Sequence, residues 1–145
     1  MRVLVTAAGK HDSTHAIARA IGETLRGRGL AATVARPEDV KRLDRYDAVV
    51  VGSAVYAGQW LRPARRFVDR SASALVGRAV WVFSTAPDEA FCPDVGGTLR
   101  PRGHVVFPRT PSARPWSAAP AAREWPAVTA WANAIADVLT ASVAA

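Results

Sequence analysis

Apolar residues in this chain fall into short continuous runs separated by more polar segments. The runs at 2–7, 48–54 and 78–84 are rich in valine and bounded by polar or small residues, which is typical of strands buried on both faces of a sheet. Weaker runs at 30–36 and 103–109 predict two further strands. The pattern therefore predicts five short strands.

Three segments between or after these runs carry apolar residues at the spacing of an α-helix. The first is predicted over 13–28, where Ser13 or Asp12 can cap the first turn. The second opens at Pro63, whose missing N–H costs nothing in a first turn. The third lies near the end of the chain. The predicted buried positions are Ile17, Ala18, Ile21 and Leu25 in the first helix, Ala64, Phe67 and Val68 in the second, and Val128, Trp131, Ile135, Val138 and Leu139 in the third.

This alternation of strands and helices predicts an α/β fold, a three-layer sandwich around a five-stranded parallel sheet of order 2-1-3-4-5. We expect a single domain over residues 1–145, with an irregular proline-rich segment at about 108–126. Ligands of such sheets bind at the carboxyl ends of the strands, near the first and third. The loops at those ends run over 6–14 and 52–60.

The chain has a formal net charge of +7, mostly from arginine, which favours anionic ligands or partners. Nucleic acid is not expected, because no aromatic residues alternate with the basic ones. No apolar run approaches the roughly 18 residues of a membrane span, and we expect a cytoplasmic protein. Cys92 is the only cysteine, and the three histidines lack metal-ligand spacing, so neither a disulfide nor a metal site is expected.

Two stretches, "VLVTAAGKHDSTHAIARAI" and "YDAVVVGSAVYAGQWLRPARRFVDR", resemble the flavodoxin-domain family. The similarity points to the branch that includes flavodoxin-like protoporphyrinogen oxidases. The resemblance implies a flavodoxin-like fold and non-covalently bound FMN. It also implies electron transfer, or oxidoreductase activity on a porphyrinogen. The basic charge of the chain favours such an anionic substrate. The partner would be a small molecule or a redox protein, and a homodimer is left open.

The resemblance also implies an FMN site made of three loops. The first would hold the phosphate at the start of the first helix, and the second would line the isoalloxazine ring, with Tyr56 and Trp60 as stacking groups. The third would close the other edge of the ring. The candidate residues are Lys10, His11, Asp12, Ser13 and Thr14 in the first loop, Ser53, Ala54, Val55, Tyr56, Ala57, Gly58 and Trp60 in the second, and Ser84, Thr85, Ala86 and Pro87 in the third.

Two residues of the first loop depart from the family pattern. Gly9 replaces a hydroxyl donor, and Asp12 replaces a glycine that lets the backbone approach the phosphate. A carboxylate about 4 Å from a phosphate charge would repel it by roughly 4 kcal/mol at an effective dielectric of about 20. If Asp12 instead points outward and pairs with Lys10 or Arg19, screening lowers the repulsion to well under about 1 kcal/mol. Two hypotheses follow: a flavoprotein, or a module with a degenerate flavin site that binds a partner through its proline- and tryptophan-containing segment.

Overall fold

The structure is a computed structural model that describes residues 1–10, 12–56, 58–86, 101–108 and 125–144. The strands are β1 (Arg2–Ala8), β2 (Ala31–Ala35), β3 (Ala48–Tyr56), β4 (Gln59–Trp60), β5 (Ala79–Ala86) and β6 (Gly103–Pro108). The helices are α1 (Asp12–Gly27), α2 (Arg62–Arg70), α3 (Ala72–Val76) and α4 (Trp125–Ala144), and a 3-10 turn spans Pro37–Asp39.

The sheet has the order β2-β1-β3-β5-β6, with parallel pairing throughout this path. The predicted order 2-1-3-4-5 is therefore confirmed, since β4 is a two-residue strand that pairs antiparallel with the end of β3. Ala8 is the register partner of Ser53, and Ser53 is the partner of Ser84. The carboxyl ends of β1, β3 and β5 consequently stand level at one edge of the sheet.

Side chains alternate between the two faces of the sheet and feed two core layers. One layer lies between the sheet and the helices α1 and α4, and it includes Val5, Val50 and Phe83. The other lies under α2 and α3 and contains Val51 and Phe67. Both faces of β3 are apolar for this reason, which explains its continuous run of valines.

The predicted buried faces of the first two helices are confirmed in full. In α4, Val138 was wrongly assigned to the core, because it is 41% exposed. The buried stripe of α4 also includes Ala132 and Ala136, which moves its centre away from position 138.

The ends of the proline-rich segment are more regular than predicted. Pro108 is the last residue of β6, and α4 already begins at Trp125, with Pro126 in its first turn. The remainder of that segment, 109–124, lies outside the described residues.

Gly52 makes room for a cluster of three aromatic rings in the core, those of Phe83, Phe107 and Trp131. It is the register partner of Phe83, whose ring packs against Phe107 and Trp131 with centroid distances of 6.0 Å in each case. A Cβ atom on Gly52 would lie 2.1 Å from the Phe83 ring. Because the ring is held by two other aromatic groups, it has little room to withdraw.

We expect Gly52→Ala to lower the free energy of unfolding by about 1–3 kcal/mol, as overpacking of a core does. Urea denaturation followed by tryptophan fluorescence measures the change. Gly77→Ala is the matched control, because its Cβ would meet nothing within 4 Å. Equal stabilities of the two variants would contradict the packing argument.

Candidate functional site

The candidate site lies at the carboxyl edge of the sheet, where β1, β3 and β5 end side by side. β1 leads through Gly9 and Lys10 into α1, β3 turns back into β4, and β5 ends at Ala86. This is the edge at which doubly wound sheets bind ligands. The start of α1 presents unpaired N–H groups and a partial positive charge there, which together favour an anion.

Thr14 ties the first turn of α1 to the end of β5. It is 1% exposed, and its hydroxyl is hydrogen-bonded to the hydroxyl of Thr85, with an O–O distance of 3.1 Å. A hydrogen bond between two buried hydroxyls satisfies both groups without water. The first and third predicted loops are therefore held together at their bases.

The second loop is a tight hairpin between β3 and β4. Val55 pairs with Trp60, and Gly58 occupies the turn with a φ of +73°, a conformation that favours glycine. At the base of the hairpin, the Ser53 hydroxyl donates to the carbonyl oxygen of Ala54 at 2.8 Å and accepts from the Leu61 N–H at 2.9 Å. The hairpin is thus anchored by a buried hydroxyl.

Trp60 packs into the core instead of facing the edge. The residue is 4% exposed, and its indole N–H donates to the Ser84 hydroxyl oxygen at 2.8 Å. The Arg65 Nε–H donates to the carbonyl oxygen of Trp60 at 3.0 Å. This burial does not support the stacking role expected for Trp60, and the side chain instead positions the hairpin against β5. The sequence analysis assigned no role to Arg65. Its place in the first turns of α2 was the only feature that could have indicated a contact with the hairpin.

Lys10 and Tyr56 bring the first loop and the hairpin into contact. The Lys10 ammonium lies 4.3 Å from the centroid of the Tyr56 ring. Lys10 is exposed and Tyr56 is half-buried, so the pair lies at the surface of the candidate site. A cation over an aromatic face at an exposed position contributes about 0.5–1 kcal/mol. This energy is small enough for an incoming ligand to displace the ammonium.

Most of the predicted residues that the structure describes meet at this edge. Ala54 and Val55 are buried in β3, so they can offer only backbone groups, whereas Gly58 is exposed at the hairpin turn. Asp12 and Ser13 form the first turn of α1, and Ala86 ends β5. The side chains of these three, and all of His11, Ala57 and Pro87, lie outside the described residues.

The donors present at this edge fit a flat cofactor that ends in a phosphate. The start of α1 and Lys10 supply anion-binding groups, and Tyr56 supplies an aromatic surface within reach of that lysine. Close beneath, the Thr6 hydroxyl is buried with no partner among the described residues. Thr6 stands two residues before the end of β1, so this part of the sheet keeps unused hydrogen-bonding capacity.

In the part of the chain that the structure describes, no three His, Cys, Asp or Glu side chains are placed to bind a metal ion. None of the described helices has both the length and the apolar composition needed to cross a bilayer.

Several solved structures share the fold of this chain. Over 97% of its length, the chain superposes on 99% of a flavodoxin from the domain Archaea, with a TM-score of 0.73 and 20% identity. It also resembles oxidised flavodoxin 1 from Bacillus cereus, with a TM-score of 0.65, 16% identity and coverage of 92% of this chain and 95% of that one.

A larger protein contains a similar domain. The chain matches 37% of the rubredoxin oxygen:oxidoreductase from Desulfovibrio gigas, over 99% of its own length, with a TM-score of 0.76 and 17% identity. A sequence search of curated proteins gave no significant match. The family model described as a flavodoxin domain matches residues 4–92. The chain therefore belongs to the flavodoxin-domain family.

Proposed function

We propose that this chain binds FMN non-covalently at the carboxyl edge of its sheet and uses it in electron transfer. The observation that carries the proposal is the contact between Lys10 and Tyr56, at 4.3 Å from ammonium to ring centroid. It brings a cation from the loop before α1 against an aromatic face of the hairpin. One molecule with an anionic end and a flat ring can therefore meet both groups. Membership of the flavodoxin-domain family supports the same cofactor.

Each part of the site has a distinct task in this proposal. The amides at the start of α1, with Lys10 and the hydroxyl of Ser13, hold the phosphate, and Thr14 supplies its backbone amide while its hydroxyl fixes the turn to Thr85. Tyr56 stacks on the ring, and the end of β5 closes its far edge. FMN, when bound, supplies the one- and two-electron chemistry, while the protein supplies position and electrostatics. Trp60 acts through the hairpin, because its hydrogen bond to Ser84 fixes the hairpin beside β5.

The surface charge suggests the chemical class of the substrate or partner. The sequence carries a net charge of +7, so an anionic molecule is attracted to the protein at long range. A porphyrinogen bearing carboxylates has this property, and it agrees with the oxidase branch that the sequence resembles. We therefore propose an oxidoreductase role on an anionic substrate as the finer form of the function.

Asp12 sets how tightly FMN is held. It is the first residue of α1, where a carboxylate is itself stabilised by about 0.3–1 kcal/mol at the helix N-terminus. A phosphate at the same turn must then approach a like charge, at a cost of up to roughly 4 kcal/mol for a 4 Å separation. The wild-type protein should therefore bind FMN more weakly than a variant without this charge.

We expect the wild-type protein to quench FMN fluorescence at micromolar concentrations and Asp12→Gly to bind at least about tenfold more tightly. Asp12→Asn separates charge from backbone freedom, because it removes the charge and keeps the Cβ. Asp69→Asn, on the exposed face of α2, controls for the change in net charge. If neither the wild-type protein nor Asp12→Gly gives quenching or flavin absorbance bands, the FMN proposal is wrong and the degenerate-site hypothesis stands.

Lys10→Gln should weaken FMN binding by about tenfold, since a hydrogen bond from a charged group to phosphate is worth roughly 1.5–3 kcal/mol. Loss of the contact with Tyr56 would strengthen FMN binding, because it uncovers the Tyr56 ring, but only by about 0.5–1 kcal/mol. Fluorescence titration measures the balance. Lys41→Gln is the control, because Lys41 is the other lysine of the chain and is also exposed. Tighter binding by Lys10→Gln would refute the phosphate role of Lys10.

For the finer proposal, we expect FMN-loaded protein to oxidise protoporphyrinogen in the presence of a quinone acceptor faster than free FMN does at the same concentration. The appearance of porphyrin fluorescence under anaerobic conditions measures the rate. Equal rates for loaded protein and free FMN would remove the porphyrinogen assignment while leaving FMN binding intact.

A further inference from the structure

Positive charge is concentrated on α2, the helix that directly follows the hairpin. It has four arginines and one aspartate among its nine residues, a net charge of +3 out of the +7 of the whole chain. The other described helices are not basic: α1 has two arginines and two carboxylates, α3 has no charged residue, and α4 has a single aspartate. Among the described helices, α2 is therefore the one that attracts an anionic partner.

The arginines of α2 share one outward face. The buried residues of the helix, which pack on the sheet, are Ala64, Phe67 and Val68. At 3.6 residues per turn, the arginines fall within an arc of about 140° on the other side. They are all exposed, and we call them the basic stripe: Arg62, Arg65, Arg66 and Arg70. The stripe presents a row of guanidinium groups to solvent along the length of the helix.

The stripe opposes the stability of the helix that carries it. Arg62 is the first residue of α2, and the first turn holds no acidic residue, so this cation lies at the positive end of the helix dipole. Arg62 and Arg66 are four residues apart, a spacing at which like charges repel. Within the described residues neither one forms an ion pair or a side-chain hydrogen bond. Carboxylates of another molecule would compensate this repulsion.

Hydrogen bonds connect the stripe to the candidate flavin site. The Arg65 Nε–H donates to the carbonyl oxygen of Trp60 at 3.0 Å, and the Leu61 N–H donates to the Ser53 hydroxyl at 2.9 Å. α2 thus starts two residues after the hairpin strand β4, whose partner strand β3 ends at Tyr56. A molecule that binds the first turns of α2 therefore lies beside the hairpin that would line the ring.

The composition of α2 favours a protein partner over a membrane or a nucleic acid. No large apolar side chain of α2 is exposed, so the helix lacks the groups with which an amphipathic helix enters a lipid surface. Its one aromatic residue, Phe67, is fully buried and cannot stack on a base. Guanidinium groups bind carboxylates through paired hydrogen bonds, and acidic proteins present carboxylates in rows on their surfaces.

We propose that the basic stripe of α2 is the docking surface for a small acidic electron-carrier protein. Charge complementarity steers the carboxylates of such a partner onto Arg62 and Arg66 and raises its association rate. The partner then lies against the hairpin, at the edge where the flavin is proposed to bind. That the partner carries electrons rests on the proposed function, whereas the docking of an acidic protein requires no flavin.

The test uses a small acidic ferredoxin as the probe. It is titrated into isotope-labelled protein, with and without added FMN, and followed by NMR. We expect the amide signals of 59–70 to shift in both cases, and the affinity to fall as salt is added. Arg66→Glu should weaken binding at least about fivefold at low salt, because it replaces an attractive charge by a repulsive one.

Arg19→Glu is the matched control for the change in charge. Arg19 is also an exposed helical arginine with no ion pair among the described residues, but it lies on α1, which packs on the opposite face of the sheet. Since distant surface charges are screened, this variant should change the affinity less than about twofold. Unchanged thermal unfolding of both variants confirms that the comparison concerns the surface alone.

Three results would overturn the proposal. The first is a titration that leaves the signals of 59–70 unshifted, with and without FMN. The second is an equal loss of affinity in Arg19→Glu and Arg66→Glu. The third is tighter binding of single-stranded DNA or anionic lipid vesicles to the stripe than of ferredoxin at the same salt concentration. Failure of the flavin proposal is distinguishable, because ferredoxin that binds a protein unable to bind FMN supports the docking surface and removes only the electron-carrying role.

Discussion

The register in which β3 pairs with β1 and β5 is the constraint on which the rest of this molecule depends. β3 is hydrogen-bonded on both sides, and its valines fill core layers on both faces of the sheet. A slip of one residue would set Val51 or Ser53 opposite Phe83 in place of Gly52, where the Phe83 ring leaves no room for a side chain. The register also sets Ala8, Ser53 and Ser84 in one row, which makes three loops emerge together at one edge.

The end of β5 converts this alignment into a fixed site, because its last residues point to opposite faces. Ser84 accepts the indole N–H of Trp60 on the α2 side, and Thr85 bonds the hydroxyl of Thr14 on the α1 side. One strand end thus holds the hairpin and the first helix at once. Both ties are buried, so water competes little with them. The contact of Lys10 with Tyr56, between the outer parts of the first loop and the hairpin, is weaker and lies at the surface.

The sequence alone predicted the sheet and its order well, because fully buried parallel strands leave continuous valine runs such as Val49 to Val51. It missed β4, since a two-residue strand has no periodicity to detect. It placed Val138 in the core, because helical spacing alone does not show that Ala132 and Ala136 lie at the centre of the buried stripe. It could not predict the positions of the Trp60 and Lys10 side chains. Trp60 is placed by its contact with Ser84 and Lys10 by its contact with Tyr56, and each pair is too far apart in sequence to leave a local pattern.

Charges of opposite sign meet around the start of α1. Asp12 opposes an anion at the first turn, while Lys10 precedes that turn and Arg19 follows it. Repulsion of a phosphate by one carboxylate is therefore offset in part by nearby cations, more effectively where solvent is excluded. The balance between Asp12 and these cations would therefore set the affinity for a phosphate at this turn.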